Sequence, residues 1–138
     1  MEENKIVKKI ADYIELHLAE DLSLDNIAKE LNYSKFYIER TFTQKTGITI
    51  YKYIQRRRLT QAARQLVESD KPITDIAYDA HYKSHQAFTL AFRTLYRCSP
   101  KTFRKNGVFY PKQTKISLHS AIYSISFTNN LWGGRMAA

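Results

Sequence analysis

The chain has 138 residues, 43% hydrophobic, 13% aromatic and 25% charged, enough apolar side chain for one packed domain or two small units sharing a helix, and too little length for most multi-domain enzymes. Lys and Arg outnumber Asp and Glu by 22 to 13, a net charge of +9, so a polyanionic partner is expected. A single cysteine, Cys98, excludes an internal disulfide and any CxxC metal or redox site.

From Lys5 to about Leu18, Ile6, Ile10, Ile14 and Leu18 recur at four-residue steps beside Val7 and Tyr13, which predicts an amphipathic helix. Ser23 reads as an N-cap ahead of Leu24, Ile27, Ala28 and Leu31, and Asn32 marks the stop. A second cap, Ser34, opens a helix over 35–45 with Ile38, Thr41 and Phe42 on one face, closed by Gly47 as a left-handed C-cap. A long helix is predicted over 50–68. Ile50, Tyr53 and Ile54 fall on one side of it and Leu59, Ala62, Ala63, Leu66 and Val67 on the opposite side, so its two ends pack on different bodies. At about 1.5 Å per residue it is a rigid spacer of roughly 28 Å. Pro72 sits where the next unit starts. After Asn106, Gly107 and Pro111 break the helical pattern, Ile116, Leu118, Tyr123, Ile125 and Phe127 give a weak strand signal over 115–127, and Gly133 and Gly134 suggest a frayed end.

The chain also repeats itself. Ile27, Ala28 and Tyr33 recur 49 residues later as Ile76, Ala77 and Tyr82. Ser34, Ile38, Phe42, Thr49 and Tyr53 then recur at an offset of 50 as Ser84, Phe88, Phe92, Ser99 and Phe103, which places one extra residue, Lys83, in the second turn. A repeat whose insertion is confined to a turn is what duplicated helix-turn-helix units leave. The expected fold is therefore all-α, about seven helices, with two helix-turn-helix subdomains (1–48 and 69–106) joined by a linker helix (49–68) and followed by a short non-helical tail (107–138).

Charge is segregated along this plan. Residues 1–30 carry a net of −4 and residues 31–138 a net of +13, so the polyanion is expected to meet the chain after residue 30. No stretch approaches 18 consecutive apolar residues, and the opening MEENKIVKKI fits neither a signal peptide nor a membrane span. The expected compartment is the cytosol; charge alone admits a nucleic acid or a membrane surface as the polyanion, and the duplicated helix-turn-helix pattern favours DNA, with no membrane partner expected.

The second helix of a helix-turn-helix supplies DNA affinity because it fits the major groove. With Ile38 and Phe42 inward, Phe36, Glu39, Arg40 and Thr43 face outward; with Phe88, Phe92 and Leu95 inward, His85, Gln86, Thr89 and Arg93 do. Arg40 suits guanine, Gln86 suits adenine, and Phe36 or Thr89 can touch a thymine methyl. Lys35, Tyr37, Thr43, Arg56, Arg57, Lys83, Arg93, Lys101, Arg104 and Lys105 are the expected phosphate contacts. Of the run Arg56, Arg57, Arg58, one member must point toward a core. No GxSxG, GxxxxGK[ST] or paired-carboxylate motif is present, and His17, His81, His85 and His119 come with no cysteine cluster. No catalytic residue, metal or cofactor is expected.

The stretches SLDNIAKELNYSKFYIERTFTQKTG, YIQRRRLTQAARQL and ITDIAYDAHYKSHQAFTLAFRTLYRCSP resemble the DNA-binding domain of the AraC/XylS family of bacterial transcription activators, most closely its short MarA, SoxS and Rob subgroup, over about 100 residues. The resemblance implies a monomer that binds double-stranded DNA, places one recognition helix in each of two successive major grooves, recruits RNA polymerase, and activates stress, efflux or drug-resistance genes. Carried over residue by residue, the groove-facing aromatic falls on Phe36, a glutamine on Glu39 and an arginine on Arg40. In the second helix the contact positions fall on His85, Gln86, Thr89 and Leu90. Glu39 departs from the glutamine and would favour a cytosine amino group, and Leu90 departs from an arginine and offers no hydrogen bond. Asn32, His81 and Arg97 stand where the family often has glycine. Two other expectations stand beside the activator: the DNA-binding part of a ligand-responsive regulator whose sensor domain is missing, and a sequence-tolerant architectural binder.

Overall fold

The computed structural model describes residues 2–117, and among them the secondary structure is helical only. In chain order the helices are α1 (Glu2–Leu16), α2 (Leu24–Leu31), α3 (Lys35–Thr46), α4 (Ile50–Glu68), α5 (Ile73–Asp79), α6 (His85–Tyr96) and α7 (Pro100–Asn106). The ends of these helices follow local chemistry. Ser23, Ser34, Ser84 and Ser99 each turn a side-chain oxygen to a backbone N–H three residues on, of Asn26, Tyr37, Ala87 and Thr102, so one otherwise orphaned donor is satisfied at each start. At the other ends Asn32, Gly47, Arg97 and Gly107 take up left-handed backbone as C-caps.

The chain divides into two compact units. The first comprises α1, α2, α3, the opening of α4 through Tyr53 and, from the far end of the chain, the described residues 115–117. Its core is Ile6, Val7, Ile10 and Ile14 of α1, Ile27 of α2, Ile38 and Phe42 of α3, and Ile50 and Tyr53 of α4, all buried. The Phe42 and Tyr53 rings lie 5.4 Å apart. The second unit comprises residues 18–21, α4 from Ile54, α5, α6, α7 and the chain to Thr114. Leu59, Ala62, Ala63 and Leu66 of α4 pack with Ile76, Phe88, Phe92, Tyr96 and Phe103 in its core. Phe92 stacks on Tyr96 at 4.7 Å and meets Phe103 edge-on at 5.5 Å. The two-sided pattern of α4 read from the sequence thus corresponds to two helical stretches, each committed to its own core, except that Ile54, expected with Ile50 and Tyr53, falls in the second unit.

The chain beyond α7 packs as well. Tyr110 lies 5.4 Å from both Tyr96 and Phe103, and its carbonyl accepts the Tyr96 hydroxyl at 3.0 Å. The Gln113 N–H donates to Thr60 Oγ1 at 3.1 Å. In the first unit Ile116 is 1% exposed and its N–H donates to the Tyr53 hydroxyl at 3.1 Å, while Lys115 pairs with Asp12. Of the strand expected over 115–127, residues 115–117 are irregular; residues 118–127 and the end expected to fray lie outside the described residues.

Gly47 has φ +77°, and a Cβ built there meets nothing within 4 Å, so backbone conformation alone asks for glycine. Its counterpart at an offset of 50, Arg97, has φ +66°, a conformation that costs an L-residue about 1–2 kcal/mol. Arg97→Gly is expected to stabilise the protein by about 1 kcal/mol, read as a rise in Tm; a fall would show that the Arg97 side chain does more than cap.

Lys115 first and then Lys8 hold the Asp12 carboxyl below its usual value through hydrogen bonds. With the folded value depressed, the stabilisation is present above the unfolded carboxylate value and is lost as pH falls through the folded one. Acidification from about pH 6 to about pH 3 should lower the protection of the Ile116 amide, its exchange rate being taken relative to that of an unstructured amide at the same pH, and Asp12→Asn should remove that loss of protection.

Candidate nucleic-acid interface

Both units build the same turn. After α2, Asn32 has φ +63° and the Tyr33 N–H returns to the Ala28 carbonyl at 3.0 Å. After α5, His81 has φ +69° and the Tyr82 N–H returns to the Ala77 carbonyl at 3.1 Å. The six-residue return and the left-handed residue are a Schellman-type ending, and in each unit a serine then caps the next helix. The extra residue of the second turn, Lys83, lies between these two fixed points. It is absorbed without altering either.

On α3, Phe36 is 77% exposed and Arg40 is exposed. Glu39 and Thr43 are half-buried. Phe36, Glu39, Arg40 and Thr43 line a cleft of ≈ 430 Å³ with Leu24, Asp25 and Lys35. The Glu39 carboxylate turns back into the unit: its Oε2 accepts from the Thr43 hydroxyl at 2.8 Å and from the Ile50 N–H at 3.2 Å. Lys35 pairs with Asp25 at 3.3 Å and rides over the Phe36 ring. Tyr37 is half-buried, 5.6 Å from Tyr33.

On α6, His85, Gln86 and Arg93 are exposed and Leu90 is 69% exposed. Thr89 departs from the expectation of an outward reader: the residue is half-buried and its hydroxyl oxygen is enclosed without a partner. The exposed face of α6 therefore includes His85, Gln86, Leu90 and Arg93 but not the Thr89 hydroxyl.

Two expected phosphate contacts are corrected. Arg57, 6% exposed, is the member of the arginine run that points inward, and its Nη1 donates to the Gln113 carbonyl at 2.6 Å. Arg104 is half-buried: its Nε donates to the Leu66 carbonyl at 2.8 Å and its Nη2 to those of Ser69 and Lys71 at 3.2 and 2.7 Å, which ties α7 to the end of α4. Arg58 does similar work, donating to the carbonyls of Leu18 and Glu20 at 3.0 and 2.6 Å. Burial pushes its guanidinium down, Asp21 opposing. Lys35, Lys83, Arg93, Lys101 and Lys105 are exposed and Arg56 is half-buried.

Among the described residues no group of three or more His, Cys, Asp or Glu could hold a metal ion, and no helix is long and apolar enough to cross a membrane. A basic chain that presents two helix-turn-helix units, each with an exposed second helix, defines a DNA-binding regulator. The helix-turn-helix domain family matches residues 27–106. The TetD protein of transposon Tn10 from Escherichia coli is 37% identical over 104 residues, 75% of this chain and 75% of TetD. Regulatory protein SoxS from Escherichia coli strain K12 is 38% identical over 104 residues, 75% of this chain and 97% of SoxS. The C-terminal domain of AraT, a response regulator from Geobacillus stearothermophilus, has the same fold with a TM-score of 0.69 at 30% identity, covering 79% of this chain and 90% of that one. The chain belongs to the AraC/XylS family of helix-turn-helix transcription regulators, in its SoxS- and Rob-like group. It is a DNA-binding transcription regulator and not an enzyme.

Arg40 is exposed on the second helix of its helix-turn-helix, and a guanidinium can match the acceptor pair of guanine. Arg40→Ala should cost about 1–3 kcal/mol on the preferred site and relax base choice at one position, measured by titrating single-base variants. An equal loss on random DNA would reduce Arg40 to a phosphate contact.

Proposed function

We propose that the chain is a transcription activator that binds one asymmetric promoter site as a monomer, with α3 and α6 in successive major grooves, and recruits RNA polymerase there. Residues 1–48 and 69–106 are the two reading subdomains, and 49–68 links them. Phe36 and Arg40 on α3 and His85, Gln86 and Leu90 on α6 read bases; Leu90 and Phe36 supply apolar contact for thymine methyls. Lys35, Tyr37, Thr43, Arg56, Lys83, Arg93, Lys101 and Lys105 meet the backbone. The observation that carries this reading is the repetition: the same left-handed turn, the same serine cap and an exposed helix face occur twice in one chain.

The regulated genes are proposed to be stress or multidrug-resistance genes, and the working place the cytoplasm, on the nucleoid; the support is the likeness to SoxS and to the subgroup the sequence resembles. Selection of bound fragments from random DNA, followed by transcription in vitro with purified RNA polymerase, tests the whole reading. The expected result is a site with two footprints, preferred over random DNA by at least about 10³-fold, from which the protein raises transcript yield. Equal affinity for random DNA would indicate an architectural binder, and a specific site with no gain in transcript would remove the activator.

Salt gives a separate check. The logarithm of affinity should fall against the logarithm of salt concentration with a slope near −0.9 for each phosphate neutralised. Lys83→Ala or Lys101→Ala should each reduce that slope by about 1 and leave base preference unchanged. Arg57→Lys should leave the slope unaltered, because that side chain lies in the interior. A flat response in the native chain would dispose of the charge argument.

A further inference from the structure

Glu39 is placed on the groove-facing helix, yet its carboxylate serves the interior of the first unit. Ile50, whose N–H it accepts at 3.2 Å, is the first residue of α4, a position with no intrahelical acceptor for its donor. A carboxylate there satisfies that donor and faces the positive end of a 19-residue helix. Thr49 Oγ1 meanwhile accepts the Lys52 N–H at 3.1 Å. The first turn of α4 is capped twice, once by its own threonine and once by a side chain from α3.

The repeat supplies an internal control. At an offset of 50, Thr49 corresponds to Ser99, which caps α7 through the Thr102 N–H at 3.1 Å, so the helix's own cap is preserved. Ile50 corresponds to Pro100, which has no N–H to donate. Glu39 corresponds to Thr89. The acid stands where the donor exists and is gone where the donor is gone. A cytosine-reading role for Glu39 creates no such link between positions 39 and 50.

We infer that Glu39 is a positioning residue for DNA recognition: it fastens α3 to the start of α4 within the first unit, and so sets how Phe36 and Arg40 are presented to the bases. The inference rests on the reading of α3 as a groove helix. It removes Glu39 from the set of base readers and leaves the base choice of α3 to its two neighbours.

The test uses the full chain, a DNA site selected by the native protein together with its single-base variants, and a temperature at which circular dichroism shows every variant folded. Glu39→Ala should weaken binding to the selected site roughly tenfold, the worth of one charge-assisted hydrogen bond, and weaken binding to random DNA much less; a residue that served stability alone would leave both affinities unchanged in folded protein. Glu39→Gln keeps an acceptor oxygen and should stay within about threefold of native, with the same base preferred at every position. In an Ile50→Pro background, which removes the donor at a helix position that tolerates proline, Glu39→Ala should cost little more. A change of preferred base in Glu39→Gln, native affinity in Glu39→Ala, or the full tenfold loss retained beside Ile50→Pro would each overturn the inference. Amide exchange at Ile50, expected to quicken in Glu39→Ala, reads the pairing without DNA, and unchanged exchange there would also overturn it. A native chain that selects no site would sink the groove reading while leaving the exchange result standing.

Discussion

One backbone conformation governs how each unit presents its second helix: a single residue in the left-handed region, Asn32 in one turn and His81 in the other. Such backbone costs an L-residue about 1–2 kcal/mol, and asparagine and histidine are among the types that adopt it most readily. In both turns the following tyrosine N–H reaches back to an alanine carbonyl, which fixes where the chain leaves the first helix. His81 adds a side-chain anchor, with Nε2 3.0 Å from the Ala19 carbonyl and Nδ1 3.5 Å from Asp21. The strained position is therefore held from two directions. Once it is set, the serine cap and the inward Ile38 and Phe42, or Phe88 and Phe92, leave only one face of the next helix free.

The basic character of the chain divides into two jobs. Arg57, Arg58 and Arg104 place guanidinium donors on backbone carbonyls. Such a fork can satisfy two or three acceptors at once, which an ammonium cannot match. They hold α4, α7 and the neighbouring loops, and their charge is part of the architecture. The lysines proposed to meet DNA, by contrast, keep exposed charge, as suits sequence-independent attraction to phosphates. Net charge alone overstates the binding surface, because part of it is enclosed.

Much of this was legible in the residues. Apolar spacing located the long helix over 50–68 with its two-sided pattern, the serines and Gly47 located helix ends, and the shift of offset from 49 to 50 located the inserted Lys83. These are local signals, set by periodicity and by chemistry within three or four residues. What the sequence left dark is the set of long-range polar partners. Arg57 meets Gln113 across 56 residues and Arg104 meets Leu66 across 38, in each case at a backbone carbonyl, which looks the same in every residue type. Helical geometry places Glu39 outward because it gives only the direction of the Cα–Cβ bond, whereas the carboxylate lies far enough out to bend back toward Ile50. The comparison of Ile50 with Pro100 was the available clue. The packing of Tyr110 and Ile116 escaped for another reason: short irregular chain has no period to detect.

The family match ends at residue 106, but the folded body does not. Thr60, Arg57, Tyr53 and Tyr96 all take partners from residues 110–116, and Ile116 fills a buried place. A gene fragment trimmed at residue 106 would strip a buried guanidinium of its carbonyl acceptor and open a hole beside Tyr53, faults that cost more than surface ones. The body that must be kept whole is thus longer than the stretch the family model matches, since residues 110–114 complete the second unit and residues 115–116 the first.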